Sequence, residues 1–237
     1  MRHYGIIGFP LLHSFSAKYF SEKFTREHID AEYSLYPLKE LRSEGVKELT
    51  ERLDGMNVTM PYKQAVIPYL DRLDDTAKAV GAVNVVYKRV GYNTDCLGFM
   101  ESIQPLLRES DKKALVLGTG GASKAVCYGL RQLGIEPTIV SRTPREGFIG
   151  YEDLDEETMR THTVIVNCTP LGMLPDVESC PNIPYERISE QHLLFDCVYN
   201  PEETLFLKKG KAQGARIRNG MEMLTGQARA AWRIWNS

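Results

Sequence analysis

A chain of 237 residues with 43% hydrophobic and 25% charged side chains has an ordinary globular composition, long enough for one large or two small α/β domains. A formal net charge of -2 excludes a broad basic surface for nucleic acid, no apolar run approaches the ~20 residues that cross a bilayer, and Lys18, Glu22, Lys23 and Arg26 leave no secretory leader. Five cysteines (Cys96, Cys127, Cys168, Cys180 and Cys197), with no C-x-x-C pair, exclude a disulfide framework and a zinc site, so no metal is expected and the cytoplasm is the expected compartment.

Short β-branched or apolar runs read as strands over residues 4–7, 32–36, 56–58, 83–87, 115–117, 138–140, 164–166 and 193–195. Helical spacing falls between them, over 17–28, 65–73, 97–107, 124–133 and 204–212. This alternation predicts an α/β fold with parallel sheets covered by helices. A final amphipathic stretch, 221–235, carries Met221, Leu224, Ala228, Ala231, Trp232 and Trp235 and is positioned in the chain to return to the first part. A fresh strand–glycine–helix unit opens at Ala114. The expected division is residues 1–95 as a substrate-binding catalytic domain, completed by the helix within 219–237, and residues 96–218 as a nucleotide-binding domain of Rossmann type.

Three segments of the first part invite chemistry. In Gly8-Phe9-Pro10-Leu11-Leu12-His13-Ser14-Phe15-Ser16-Ala17-Lys18 a loop enters a helix whose first turn holds no acid, which leaves its N–H groups and two hydroxyls open to an anion. A plain N-cap role for one serine is the competing reading, and His13 carries little weight as a base. In Asn57-Val58-Thr59-Met60-Pro61-Tyr62-Lys63 a proline opens a helix and puts Lys63 in its first turn, where the dipole disfavours a cation. In Gly91-Tyr92-Asn93-Thr94-Asp95-Cys96-Leu97-Gly98, Asp95 stands where an N-cap belongs, unless Thr94 caps the helix and leaves Asp95 in the first turn. A carboxylate facing Lys63 makes a pair able to act as acid and base on a carbonyl or alcohol.

The second part offers Leu115-Val116-Leu117-Gly118-Thr119-Gly120-Gly121-Ala122-Ser123-Lys124, a strand running through glycines into a helix, with Ser123 in place of the third glycine of G-x-G-x-x-G. Such a turn lets the backbone approach a pyrophosphate at the helix N-terminus. An NAD site usually places an acid roughly 20 residues on. Here the next strand ends in Ser141-Arg142-Thr143-Pro144-Arg145, and no acid precedes Glu146. Arginine suits a 2′-phosphate, which predicts NADP.

These segments resemble shikimate dehydrogenase in order along nearly the whole chain. They are joined by Gly81-Ala82-Val83-Asn84, by Asn167-Cys168-Thr169-Pro170-Leu171-Gly172-Met173 and by Asp196-x-x-Tyr199-x-Pro201-x-x-Thr204. The resemblance implies two α/β domains with a cleft between them, closed by the C-terminal helix. It implies NADPH-dependent, reversible reduction of 3-dehydroshikimate to shikimate in aromatic amino acid (chorismate) biosynthesis. Lys63 and Asp95 would be the catalytic pair. Ser14 and Ser16 would hold the substrate carboxylate with Tyr199 nearby, and Thr59, Asn84, Asp95 and Gln227 the ring hydroxyls. Gly118, Gly120, Gly121, Ala122, Ser123, Arg142, Thr143, Arg145, Thr169 and Gly220 would line the cofactor. The family's usual proline after the second serine is Ala17 here, and its usual asparagine before the arginine is Ser141. The residues leave open a dehydrogenase that prefers NAD or accepts quinate, a non-catalytic NADP-binding sensor on the same frame and, more distantly, a methylene-folate dehydrogenase. A small-molecule substrate, no nucleic acid, no membrane, and a monomer or homodimer are expected.

Overall fold

The computed structural model describes residues 1–11, 14–143 and 145–237. They form two compact units, Met1–Asp95 with Gly226–Ser237 and Cys96–Thr225. Among them no helix is long and apolar enough to cross a membrane.

The first unit runs β1 (Arg2–Gly8), α1 (Phe15–Arg26), β2 (Ala31–Pro37), α2 (Ser43–Arg52), β3 (Gly55–Val58), α3 (Tyr62–Ala65), β4 (Arg72–Leu73), α4 (Asp75–Val80), β5 (Val85–Tyr87) and β6 (Val90–Tyr92). Its sheet order is β2-β1-β3-β5-β6-β4. Ile7, Met56, Val58 and Val86 pack with Val46 and Leu49 of α2 into one core. On α1, Ser16, Phe20 and Phe24 recur every fourth residue and are buried, which is one helix face. Phe20 and Phe24 join Tyr4, Val85, Ala228, Ala231 and Trp235 in a second, aromatic core. A Cβ on Gly55 would lie 2.4 Å from the Trp235 ring, so only glycine lets the last helix sit this close to β3.

The second unit holds β7 (Lys113–Leu117), α6 (Gly121–Gln132), β8 (Glu136–Val140), β9 (Phe148–Ile149), α7 (Glu156–Thr161), β10 (Val164–Asn167), β11 (Leu193–Asp196), α8 (Leu205–Ala212) and β12 (Arg216–Arg218). Every strand pair in its sheet, β12-β11-β10-β7-β8-β9, is parallel. Successive residues of β7 serve opposite cores, Ala114 and Val116 on one face and Leu115 and Leu117 on the other. That is why the strand reads as one unbroken apolar run. Two further helices, α5 (Asp95–Ile103) and α9 (Met221–Trp235), carry the chain from one unit into the other.

Two expectations need correction. The helix expected over 65–73 is the single turn of α3, a 3-10 turn Ile67–Tyr69 and strand β4. Pro68 has no N–H to donate to the Gln64 carbonyl, so the α-helix cannot run on through it and the chain tightens into the 3-10 turn. The first sheet is mixed, because β5 pairs antiparallel with both β3 and β6. Its hairpin turns on Lys88 and Arg89, both at positive φ (47° and 60°), a two-residue turn without the asparagine or glycine that would have announced it. Of the terminal helix, Gly226 onward groups with the first unit, while Met223 is buried in the core of the second.

Candidate active site

β3 ends at Val58, and the chain passes through Thr59 to α3, whose second residue is Lys63. Two bonds hold this short turn: the Tyr62 hydroxyl donates to the Leu38 carbonyl at 2.6 Å, and the Val83 N–H donates to the Lys63 carbonyl at 2.7 Å. Helix α5 starts at Asp95, which stands in its first turn directly after Thr94 and is buried. The Lys63 ammonium donates to Asp95 Oδ2 at 2.7 Å, with the side chains 21% and 11% exposed. A contact this short with this little water is a charge-assisted hydrogen bond rather than a loose surface pair.

Asn84 organises the pair. Its Oδ1 accepts from the Thr94 N–H at 2.7 Å, which forces Nδ2 to the other side. Nδ2 then faces Asp95 Oδ1 at 2.9 Å, Thr94 Oγ1 at 3.0 Å and Gln227 Oε1 at 3.3 Å. Two N–H groups serve three acceptors, so the longest contact, to Gln227, is the one most easily released. The backbone of Asn84 is itself fixed: its N–H donates to Tyr92 and its carbonyl accepts from Val58 N–H and Asn57 Nδ2.

The network continues toward α1. Tyr33, on β2, donates its hydroxyl to Asn57 Oδ1 at 2.6 Å. Burial pushes the Tyr33 phenol well above its ordinary value, with the Ser16 hydroxyl as a smaller opposing influence. Tyr33 thus connects through Asn57 and Asn84 to Asp95 and Lys63. Ser14 is the N-cap of α1 and accepts from the Ala17 N–H at 3.3 Å, so the competing cap reading describes Ser14. Thr59 follows β3 and donates its N–H to the Ile7 carbonyl. Neither Tyr33 nor Asn57 was singled out for a role from sequence. Tyr33 lies 24 residues from its partner, in a strand with no motif of its own. His13 and Leu12 lie outside the described residues, as does Pro144.

In the second unit, chain order reverses between β7 and β10, the place where parallel sheets take nucleotides beyond their carboxyl ends. Gly118 leaves β7 at φ 109°, and a Cβ there would press within 3.3 Å of the Cys168 carbonyl. Gly120 caps α6, and a Cβ on it would meet open space. No side chain caps α6 and no acid stands in its first turn, so Gly121 and Ala122 begin a helix N-terminus fit for a phosphate. Ser123 is buried and donates its hydroxyl back to the Gly120 carbonyl, which leaves only its backbone for a ligand. Arg142 and Thr143 are exposed on the turn after β8, where the Thr143 N–H bonds to Ser141 Oγ at 3.1 Å. Arg145 lies over the Phe148 ring at 4.3 Å, a cation–π contact that competes with any phosphate. Thr169 follows β10, and Tyr199 follows β11. Gly220 precedes α9, where a Cβ would collide with the Cys197 carbonyl at 2.4 Å. The described residues thus bring Lys63, Asn84, Asp95 and Gln227 into one network. Tyr199, like the cofactor set, belongs to the second unit.

A family model for the shikimate dehydrogenase substrate binding domain matches residues 6–86. A shikimate dehydrogenase (NADP(+)) from Clostridium beijerinckii is 39% identical, with 99% of this chain and 92% of the relative covered. This chain belongs to the shikimate dehydrogenase family. Crystal structures of other shikimate dehydrogenases share its fold. That from Aquifex aeolicus superposes with a TM-score of 0.88 at 35% identity over 100% of this chain and 92% of its own. That from Thermus thermophilus, in complex with NADP(H) and shikimate, gives 0.88 at 31% identity over 99% and 93%. The family's two-domain, Rossmann-like plan accounts for the mixed sheet of one unit and the all-parallel sheet of the other.

Proposed function

We propose that this chain is an NADP-dependent shikimate dehydrogenase, which reduces 3-dehydroshikimate reversibly to shikimate in aromatic amino acid biosynthesis. The observation that carries the reading is the Lys63–Asp95 bond of 2.7 Å, anchored by a buried asparagine. A binding protein has no use for an ammonium and a carboxylate held this way, whereas a carbonyl reduction has. When bound, NADPH supplies the hydride. Lys63 donates a hydrogen bond, then a proton, to the substrate oxygen as negative charge grows there. Asp95 holds the lysine in place at 2.7 Å, and in the oxidative direction the same pair draws the proton from the hydroxyl. Help of this kind contributes ~10²–10⁴-fold in rate.

The remaining roles follow from donor chemistry. Ser14 and Ser16 offer hydroxyls to the substrate carboxylate, assisted by Tyr199. Thr59, Asn84, Asp95 and Gln227 take ring hydroxyls. In the second unit, the α6 N-terminus at Gly120, Gly121, Ala122 and Ser123 takes the pyrophosphate, Arg142 with Thr143 and Arg145 the 2′-phosphate, and Gly118, Thr169 and Gly220 the backbone approach. All five cysteines are free, which suits a reducing cytoplasm, and the substrate is a small molecule handled by a monomer or homodimer. The test follows NADPH absorbance on addition of 3-dehydroshikimate, with quinate plus NADP or NAD in parallel. Absence of NADPH oxidation, or faster turnover of quinate with NAD, would sink the assignment.

A further inference from the structure

Beyond the glycine loop and the arginines, the second unit contains a buried polar chain to which no role is assigned above. Asp196 ends β11 and is fully buried, with three donors on its carboxylate. Asn167 Nδ2 donates to Oδ1 at 3.0 Å, the Val198 N–H to Oδ1 at 2.9 Å, and the Thr204 hydroxyl to Oδ2 at 2.5 Å. Asn167, also fully buried, ends the neighbouring strand β10 directly opposite Asp196. On its other side Asn167 Oδ1 accepts both the N–H of Thr169, at 3.0 Å, and its hydroxyl, at 2.6 Å.

The direction of every bond is forced. An ionised carboxylate only accepts, so it compels Asn167 to turn its NH₂ toward β11. The amide oxygen must then face the loop after β10, where it takes both donors of Thr169. A flipped amide would present NH₂ to two donors and leave buried polar atoms unpaired, at the usual cost of such atoms. The Thr169 hydroxyl oxygen also accepts from the Leu171 N–H at 3.3 Å, so the loop is held by both ends of one side chain.

We propose that Asp196 and Asn167 are positioning residues for the cofactor: the carboxylate sets the asparagine amide, and the amide sets Thr169 at the switch point of the nucleotide sheet. With its proton committed to Asn167, Thr169 has a lone pair to present and no donor. It therefore takes a hydroxyl or amide donor of the dinucleotide, a ribose or carboxamide group, and does not take a phosphate. The inference rests on the reading of this unit as the NADP site.

The experiment compares Asn167→Ala, Asn167→Ser, Thr169→Val and the Asn167→Ala/Thr169→Val double variant as full-length enzymes. Each is measured for KM of NADP, KM of shikimate, kcat at saturation and thermal midpoint. Losing the bonds that aim Thr169 is expected to raise KM for NADP about tenfold in either Asn167 variant, with shikimate KM and saturated kcat within about twofold. The double variant is expected to be no worse than Asn167→Ala alone, because both changes break one linkage. A merely structural role would lower the thermal midpoint and leave the NADP KM in place, and that result overturns the proposal. Multiplying effects in the double variant overturn it as well. If Thr169→Val is silent while both Asn167 variants lose NADP affinity, positioning stands through the backbone and the hydroxyl contact is wrong. If every variant keeps its NADP KM, the positioning role is wrong, whatever Arg142 does. Should Asn167→Ala fail to fold, Asn167→Ser, which keeps a polar atom at the site, carries the test.

Discussion

Lys63 occupies one oxygen of the Asp95 carboxylate at 2.7 Å, and Asn84 occupies the other at 2.9 Å, so the carboxylate is fixed at both ends. Lys63→Ala and Asp95→Asn are each expected to lose ~10²–10⁴-fold in kcat. Their stability should differ. Removing the lysine leaves a carboxylate that is 11% exposed with one remaining partner, at a cost of about 1–3 kcal/mol, whereas Asp95→Asn keeps shape and removes the charge. Turnover of shikimate and urea unfolding on both variants check this, and near-normal turnover in either one removes the proposed pair.

The serine loop separates affinity from folding. Ser14 caps α1, so Ser14→Ala should cost about 1 kcal/mol of stability as well as affinity for shikimate. Ser16 is not the cap, and Ser16→Ala should act chiefly on the substrate. A hydroxyl donated to a carboxylate is worth ~1.5–3 kcal/mol, or roughly ten- to hundredfold in KM, while KM for NADP stays put. A shikimate KM unchanged in the doubly substituted protein would move the carboxylate site elsewhere.

Most of the sheet scaffold and the Lys63–Asp95 contact were legible in the chain itself, because local signals point the same way there. β7 through Ser123 reads correctly since an apolar run, glycines and a helix follow each other within a dozen residues. Lys63 and Asp95 stood out by breaking local rules, a cation at a helix start and a second cap candidate after a first. Tyr33 and Asn57 could not be read, because their hydrogen bond depends on β1 lying between β2 and β3 in the sheet. The Asp196–Asn167 linkage is hidden for the same reason: its partners are 29 residues apart and meet through strand register alone. The Lys88–Arg89 turn escaped because its conformation runs against the preference of its residues, a choice enforced by the pairing of β5 with β6.

Arg142 is the residue we propose to read the phosphate that distinguishes the two nicotinamide cofactors. It is exposed on the turn after β8, with no acid between it and Glu146, while Arg145 is engaged over Phe148. Arg142→Leu should weaken NADP roughly ten- to hundredfold and leave NAD nearly untouched, and Arg145→Leu should do less. Titration of both cofactors at fixed salt decides the matter. Equal losses for NADP and NAD would mean that Arg142 supports the loop instead.

Asp196 makes a prediction about pH and folding. Burial raises its carboxyl from an ordinary 3.8 to about 6, partly offset by the bonds from Thr204, Val198 and Asn167. A folded-state value above the unfolded one means the unfolded chain releases this proton first. The favourable contribution is therefore complete below about pH 4 and is lost as pH rises through about 6. A rise of this size corresponds to roughly 3 kcal/mol by neutral pH, in order of magnitude. The Cys168 thiol and Tyr185 phenol, which sense this carboxylate, are both pushed upward and stay neutral across the window, so neither adds a slope of its own. Asp196→Asn removes the titration and keeps the shape. Its stability relative to the parent should climb by a few kcal/mol between pH 4 and pH 7, whatever offset the lost acceptor introduces. Urea unfolding of both proteins at one-unit steps measures the difference directly, and a difference that stays flat across that range would show that Asp196 is not held in this environment.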